Sequence, residues 1–317
     1  MTIPELSDVP VLVTGGAGFI GSHLVDELVR RGARVRVLDN LATGLASNLE
    51  HLGDRIEILQ DDIRDAEACR KAAEGAELVF HQAALGSVPR SMKDPATSLA
   101  VNVSGTANVF AAARDGGAKK VVYASSSSVY GDSAELPKRE GHEGAPLSPY
   151  ATSKAMCEEL SEIFLRCYDL EIIGLRYFNV YGPRQRPDGP YAAVIPRFFD
   201  AYRQGAAPTI HGDGEQSRDF TFVADAVRAN LLAAGAPREA AARAFNVAAG
   251  HRSTLNELVQ EVRQLMGGGP EPEHGPPRPG DVRHSLADLS AIREGIGYEP
   301  RYDLAAGLRE TAAGYAT

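Results

Sequence analysis

The chain has 317 residues, 44% hydrophobic and 24% charged, and its 32 Gly and 19 Pro stay below low-complexity levels, the profile of a globular protein with one large or two modest domains. Its formal charge of −9 leaves no polybasic footprint for nucleic acid or anionic lipid, so an anionic ligand needs local arginines. No stretch approaches the roughly 18 apolar residues of a membrane span, and residues 1–10 lack a basic-then-apolar layout, which predicts no span, no signal peptide and a cytoplasmic location without membrane or nucleic-acid partners.

In chain order, an apolar run (Val11, Leu12, Val13) leads into a glycine cluster. A helical pattern (Ile20, Leu24, Leu28) follows and ends at Gly32, and a second run (Val35, Val37, Leu38) completes a βαβ unit. Short runs recur at 56–59, 78–81, 121–125 and 172–177, with helix-length segments such as 98–114 and 149–168 between them. Strands alternating with helices predict an α/β fold with a doubly wound parallel sheet, the Rossmann arrangement. Cys157 and Cys167 fall ten apart in one predicted helix, about 15 Å, too far to bridge, and all three cysteines are expected reduced.

After residue 179 the texture changes to Gly- and Pro-rich loops separated by helical stretches at 193–203, 223–234 and 254–266, with one more strand at 244–248. The expected division is a cofactor domain of 1–179 plus about 221–250, and a smaller binding lobe of about 180–220 plus 251–317. No metal site is expected.

Gly15, Gly18 and Gly21 follow a strand and open a helix, the context of a dinucleotide fingerprint. Absent side chains let the backbone approach a pyrophosphate, and the helix N-terminus offers free N–H groups. Asp39 ends the second strand, where a carboxylate accepts ribose hydroxyls and repels a 2′-phosphate, favouring NAD over NADP. Asp62 and Ile63 follow the third strand and Ala83 and Ala84 the fourth, where an adenine edge and the diphosphate would lie; Asp62 could equally cap a helix.

Tyr150 and Lys154 are four apart at a helix start and share a face, while residues 125–128 form a serine run at a strand end. Alone, such a pair is an ordinary helix surface. Behind a dinucleotide fingerprint, a serine, a tyrosine and a lysine could converge as reacting groups, because a phenol acts as a base near neutral pH only beside positive charge.

Together the stretches TGGAGFIG (14–21), LDN (38–40), HQAA (81–84), VYG (129–131), SPY (148–150) with Lys154, RYFN (176–179), RDF (218–220) and RPGD (278–281) give the chain a resemblance, from about residue 9 to 308, to the extended short-chain dehydrogenase/reductase family, and within it to the nucleotide-sugar 4-epimerases. The resemblance implies Tyr150 as base, Lys154 as holder of the cofactor ribose and stabiliser of the phenolate, and Ser126 as hydrogen-bond partner of the sugar O4. For tightly bound NAD it implies Gly15, Gly18, Phe19, Ile20, Gly21, Asp39, Asn40, Thr43, Gly44, Asp62, Ile63, Gln82, Ala83, Ala84, Asn102, Tyr150, Lys154 and Tyr177. For a UDP-sugar it implies Gly86, Ser87, Ser126, Ser127, Tyr150, Asn179, Ala193, Val194, Thr209, His211, Arg218, Arg278, Asp281 and Ser285, with Arg218 and Arg278 on the diphosphate.

The implied reaction is hydride transfer from C4 to NAD, rotation of the 4-keto sugar and return of hydride to its other face. Family 4,6-dehydratases carry Asp-Glu where this chain has Ser127 and Ser128, and uronate 4-epimerases generally carry Thr where it has Asn179. The segments 84–91 and 281–285 resemble the subgroup acting on UDP-N-acetylhexosamines. The position of Ser285 carries Tyr in relatives restricted to UDP-glucose and UDP-galactose, and Ser285 either leaves room for an acetamide or caps the turn before Asp288. The other readings are a UDP-glucose/UDP-galactose or UDP-glucuronate 4-epimerase and, more distantly, a non-catalytic NAD-sensing module. A homodimer through 98–114 and 149–168 is implied.

Overall fold

The structure, a computed structural model, describes residues 2–188, 192–277 and 283–315. Its central strands are β1 (Pro10–Thr14), β2 (Arg34–Leu38), β3 (Ile56–Leu59), β4 (Leu78–His81), β5 (Lys120–Ser126) and β6 (Glu171–Tyr177). Four short strands follow, β7 (Val180–Tyr181), β8 (Thr209–His211), β9 (Ser217–Arg218) and β10 (Thr221–Phe222). The chain then re-enters the sheet as β11 (Ala244–Val247) and adds β12 (Ser253–Thr254) and β13 (Glu273–Gly275) outside it. The seven-stranded parallel sheet has the order β11-β6-β5-β4-β1-β2-β3. After β3 the chain jumps back across β1 to β4, and at that reversal of strand order the carboxyl ends of β1 and β4 open a crevice.

Helices cover both faces, which is why the strands read as near-continuous apolar runs. They are α1 (Phe19–Arg30), α2 (Ala66–Ala73), α3 (Val88–Lys93), α4 (Pro95–Leu99), α5 (Gly105–Asp115), α6 (Pro149–Tyr168), α7 (Val194–Arg203), α8 (Val223–Ala234), α9 (Leu255–Leu265), α10 (Ser290–Ile296) and α11 (Leu304–Ala313). One core gathers Leu24, Leu28, Val37, Leu231 and Phe245, and the opposite face buries Leu12, Val79, Phe110 and Ile172. A third core packs Phe198, Phe199, Ile210, Phe222, Leu258 and Leu308. The stretch expected as one helix over 98–114 is α4 and α5 joined by a π turn at Ala100–Ser104. The expected 149–168 helix matches α6, which starts at the Ser148 cap on the Ala151 N–H with Pro149 in the first turn, and stops where Asp169 takes φ 60°.

Among the described residues no helix is long and apolar enough to cross a membrane, and no group of His, Cys, Asp and Glu could hold a metal. Cys69, Cys157 and Cys167 are free, only Cys167 being exposed.

Asp219 ties distant segments together. Its Oδ1 accepts from the Ala249 N–H at 2.9 Å, and its Oδ2 accepts from Gly250 and Ala287 at 3.2 Å each. Burial raises the carboxyl to about 6 against these three amides, which favour the ionised form. A folded-state value above the unfolded one means its stabilising contribution is full below pH ~4 and is lost as pH climbs through about 6. Replacing it as Asp219→Asn should therefore flatten the urea-unfolding free energy between pH 4 and 6 by an amount on the order of 2 kcal/mol relative to the parent. Parallel curves for parent and variant would contradict the assignment.

Candidate active site

The cleft follows from β1. Gly15, at its end, holds φ 70°, and a β-carbon there would stand 2.6 Å from the Ala83 amide nitrogen, so the turn can lie against the end of β4 only as glycine. Gly18 caps α1 without a side-chain bond, and the first turn of a helix carries N–H groups with no partner inside it. Behind this turn Asp39 Oδ2 accepts from the Ala17 N–H at 2.9 Å and Oδ1 from Leu41 at 2.8 Å. The carboxylate predicted to face a ribose thus also braces the glycine turn.

A cleft of about 1070 Å³ opens over these elements. Most predicted cofactor residues line it: Gly15, Gly18, Phe19, Ile20, Gly21, Asp39, Asn40, Thr43, Asp62, Ile63, Gln82, Ala83, Ala84 and Tyr177, with Tyr150 and Lys154. Gly44 does not; it packs so closely under Ala17 that a β-carbon would lie 2.8 Å from that residue's carbonyl carbon. Asp62 receives Asn40 Nδ2 at 2.7 Å and the Arg64 guanidinium, whose hydrogen bonds hold the carboxyl well below its usual range. The helix-cap alternative for Asp62 falls instead to Asp65, which caps α2. The cradle has the backbone room, the free helix start and the acidic β2 end that a dinucleotide requires.

Tyr150 and Lys154 stand on the first turns of α6, and Ser126 ends β5; all three line the cleft. Lys154 is buried and donates from Nζ to the Ala124 carbonyl at 2.7 Å, which fixes its ammonium against β5. Ser126 Oγ accepts from the Ser128 N–H at 3.2 Å, leaving its own hydrogen to donate. The Tyr150 N–H donates to Ser91 Oγ at 3.1 Å, and Ser153 Oγ donates to the Tyr150 carbonyl at 2.7 Å. Asn102 is fully buried and outside the lining. It donates to Ser153 Oγ at 3.0 Å and accepts from the Leu85 N–H at 2.8 Å, so it pins the loop after β4 to the helix that carries Tyr150.

Beneath the cleft His81 bridges Thr14 Oγ1 at 2.6 Å and Thr106 Oγ1 at 2.9 Å; burial first and the Lys154 charge second push it down to about 3, so it stays neutral. Tyr177, Gln82 and Asn230 close a hydrogen-bonded triangle, with bonds of 3.1, 2.7 and 3.0 Å, and burial pushes the Tyr177 phenol up to about 12.

On the substrate side Gly86, Ser127, Asn179, Arg218 and Ser285 line the same cleft. Ser87 does not; its hydroxyl caps α3 by accepting from the Arg90 N–H. A smaller cavity of about 240 Å³ holds Ala193, Val194, Thr209 and His211 and shares Asn179, Val180, Gln185 and Arg218 with the cleft. Asn179 adopts φ 37° and donates to the Asp219 carbonyl at 3.0 Å. The Ser285 N–H donates to the Ser217 carbonyl at 3.0 Å, which sets it beside β9 and Arg218. The turn into α10 is held by Asp288, whose Oδ1 accepts from the Ser290 N–H at 2.8 Å. Arg278 and Asp281 lie outside the described residues.

Ser91, Ser153, Asn230 and Gln185 escape the sequence. Ser153 stands inside the tyrosine's own helix, while Ser91 lies 59 residues before Tyr150 and Asn230 reaches Gln82 across 148 residues of chain, neither with a local mark.

The family model described as NAD dependent epimerase/dehydratase matches residues 11–248. The UDP-glucose 4-epimerase of Mycolicibacterium smegmatis is 42% identical over 304 residues, 95% of this chain and 96% of that protein. The solved UDP-N-acetylglucosamine 4-epimerase of Methanobrevibacter ruminantium, in complex with UDP-N-acetylmuramic acid, is 40% identical with a TM-score of 0.93, covering 98% of this chain and 99% of its own. The Thermus thermophilus UDP-glucose 4-epimerase in complex with NAD is 36% identical with a TM-score of 0.87, covering 97% and 99%. With the glycine cradle, the acidic β2 end and the Ser126, Tyr150 and Lys154 constellation in one cleft, the chain belongs to the NAD-dependent epimerase/dehydratase family of extended short-chain dehydrogenase/reductases and is an NAD-dependent enzyme.

Proposed function

We propose that this NAD-dependent UDP-sugar 4-epimerase interconverts UDP-N-acetylglucosamine and UDP-N-acetylgalactosamine by inversion at C4. The observation that carries the acetylated pair is Ser285, a small hydroxylated side chain lining the cleft next to Arg218. A small residue there leaves volume on the C2 side of the sugar, and its hydroxyl can meet the acetamide.

NAD bound along the cradle supplies the hydride acceptor and donor for C4. The chain's own residues manage the proton and the pose. Tyr150 takes the proton of the 4-hydroxyl and returns it; Lys154, one turn further along the same helix and fixed by Ala124, holds the cofactor ribose. Ser126 donates to O4 and orients it. Arg218 and Asn179 meet the diphosphate where cleft and smaller cavity join, an arrangement that lets the sugar pivot while the nucleotide stays held. Neither Ser127 nor Ser128 is an acid or a base for elimination at C5 and C6. Met156, Ile163 and Tyr168 expose apolar surface on α6, which supports the homodimer expected through that helix.

Because the cycle regenerates its cofactor, purified protein should carry NAD(H). Denaturation releasing no nicotinamide dinucleotide from several preparations would count against tight retention. Tyr150→Phe should cut turnover roughly 10² to 10⁴-fold without changing the fold seen by circular dichroism, and near-parental turnover would sink the assignment. Ser285→Tyr should abolish C4 inversion of the acetylated pair while sparing UDP-glucose and UDP-galactose. Assayed on all four sugar nucleotides, a roughly equal loss on both pairs would remove Ser285 from the role, and a parent active only on UDP-glucose and UDP-galactose would overturn the acetylated reading.

A further inference from the structure

Tyr150, Lys154 and Glu158 stand in one row on α6, each about one turn beyond the last. The first two line the cleft; Glu158 does not. Lys154 meets β5 at the Ala124 carbonyl, 2.7 Å away, and Glu158 meets the next residue of the same strand, its Oε1 accepting from Ser125 Oγ at 2.5 Å. Helix and strand are thus joined by two consecutive rungs directly before Ser126. The rungs differ in stiffness. A lysine reaches through a flexible four-carbon stem and can follow a helix that slides, whereas a carboxylate gripped at both oxygens cannot.

The second rung is also gripped from the neighbouring strand. Ser125 lies opposite Arg176 in the β5–β6 ladder, and the Arg176 fork closes on the same carboxylate, Nε on Oε1 at 2.9 Å and Nη2 on Oε2 at 2.7 Å. Nη1 donates to Tyr130 Oη at 3.0 Å and to Glu143, and Tyr130 Oη donates on to Asn246 Oδ1 at 2.7 Å. Ser125, Arg176 and Asn246 are all buried. A bidentate guanidinium–carboxylate pair sets orientation as well as distance, so two adjacent strands fix both the height and the rotation of α6 at this point. The start of the helix is secured separately, by the Ser148 cap and by Asn102 on Ser153. We propose that Glu158 is a positioning residue for proton transfer at C4: tied to Ser125 and clamped by Arg176, it sets the register of α6 against the end of β5, and with it the gap between Ser126 and Tyr150 in which the 4-hydroxyl must lie. The proposal rests on the reading of Tyr150 as base and Ser126 as its partner on O4. The nucleotide is held in the other lobe and does not feel this register, so the chemical step is affected and binding is not.

Steady-state kinetics of the cofactor-loaded enzyme test this, on UDP-N-acetylglucosamine or UDP-glucose, whichever the parent inverts faster, with kcat expressed per bound NAD. Ser125→Ala, which keeps the Arg176–Glu158 pair, should lower kcat about tenfold, and Glu158→Gln roughly 10- to 100-fold, with KM within about twofold of the parent in both. The double variant should lose no more than Glu158→Gln alone, because both changes act through one contact. A purely structural pair would lower the unfolding midpoint and leave kcat per bound NAD at the parental value. That result, a loss confined to KM, or losses that multiply in the double variant overturns the proposal. If Glu158→Gln does not fold, Ser125→Ala decides alone, since it leaves the guanidinium paired. Near-parental turnover in Tyr150→Phe, a separate variant, would remove the base that Glu158 places and the proposal with it.

Discussion

The close approach of β1 to β4 is the constraint on which the site depends. A β-carbon on Gly15 would meet the Ala83 amide nitrogen at 2.6 Å, and one on Gly21 would meet the Gly15 carbonyl oxygen at 2.1 Å. Only bare backbone can make this turn, and it aims the α1 start at the crevice where strand order reverses. Asp39 then locks the turn from the side, so the acidic end of β2 and the glycine cradle form one rigid unit.

The start of α6 is held differently, by buried neutral polar groups. Asn102 links the Leu85 amide to Ser153, Ser153 returns to the Tyr150 carbonyl, and His81 joins Thr14 to Thr106. His81 is kept uncharged by its burial and by the Lys154 charge. Arg176 spans Glu158 and Glu143 in a pair of ion contacts. Ser125 Oγ, donating to Glu158 at 2.5 Å, connects those contacts to the end of β5.

Legibility in the sequence followed the range of the interaction. The glycine turn, the Asp39 position and the i, i+4 pair Tyr150 and Lys154 are local, and their spacing alone places them on one strand end or one helix face. The 149–168 and 223–234 helices and the 56–59 and 78–81 strands are likewise recoverable from periodicity. The Tyr177, Gln82 and Asn230 triangle joins β6, the end of β4 and α8 through side chains that no window contains together. Ser87 shows the opposite limit: its segment resembles sugar-lining loops, yet a serine two residues before a helix-starting proline finds its nearest donor in its own backbone.

The return of β11 to the edge of the sheet bears on how the protein matures. Its partner β6 ends at Tyr177, and β11 begins at Ala244, so the sheet gains its last strand only after α7 and β8 to β10 have been synthesised. Until then β6 presents an unpaired parallel edge, and closing that long-range pairing is among the slower steps of assembly. On the ribosome, the seven-stranded sheet and the segments between β6 and β11 must therefore be completed together, and a truncation between Tyr177 and Ala244 would strand an open sheet rather than release a smaller, finished domain.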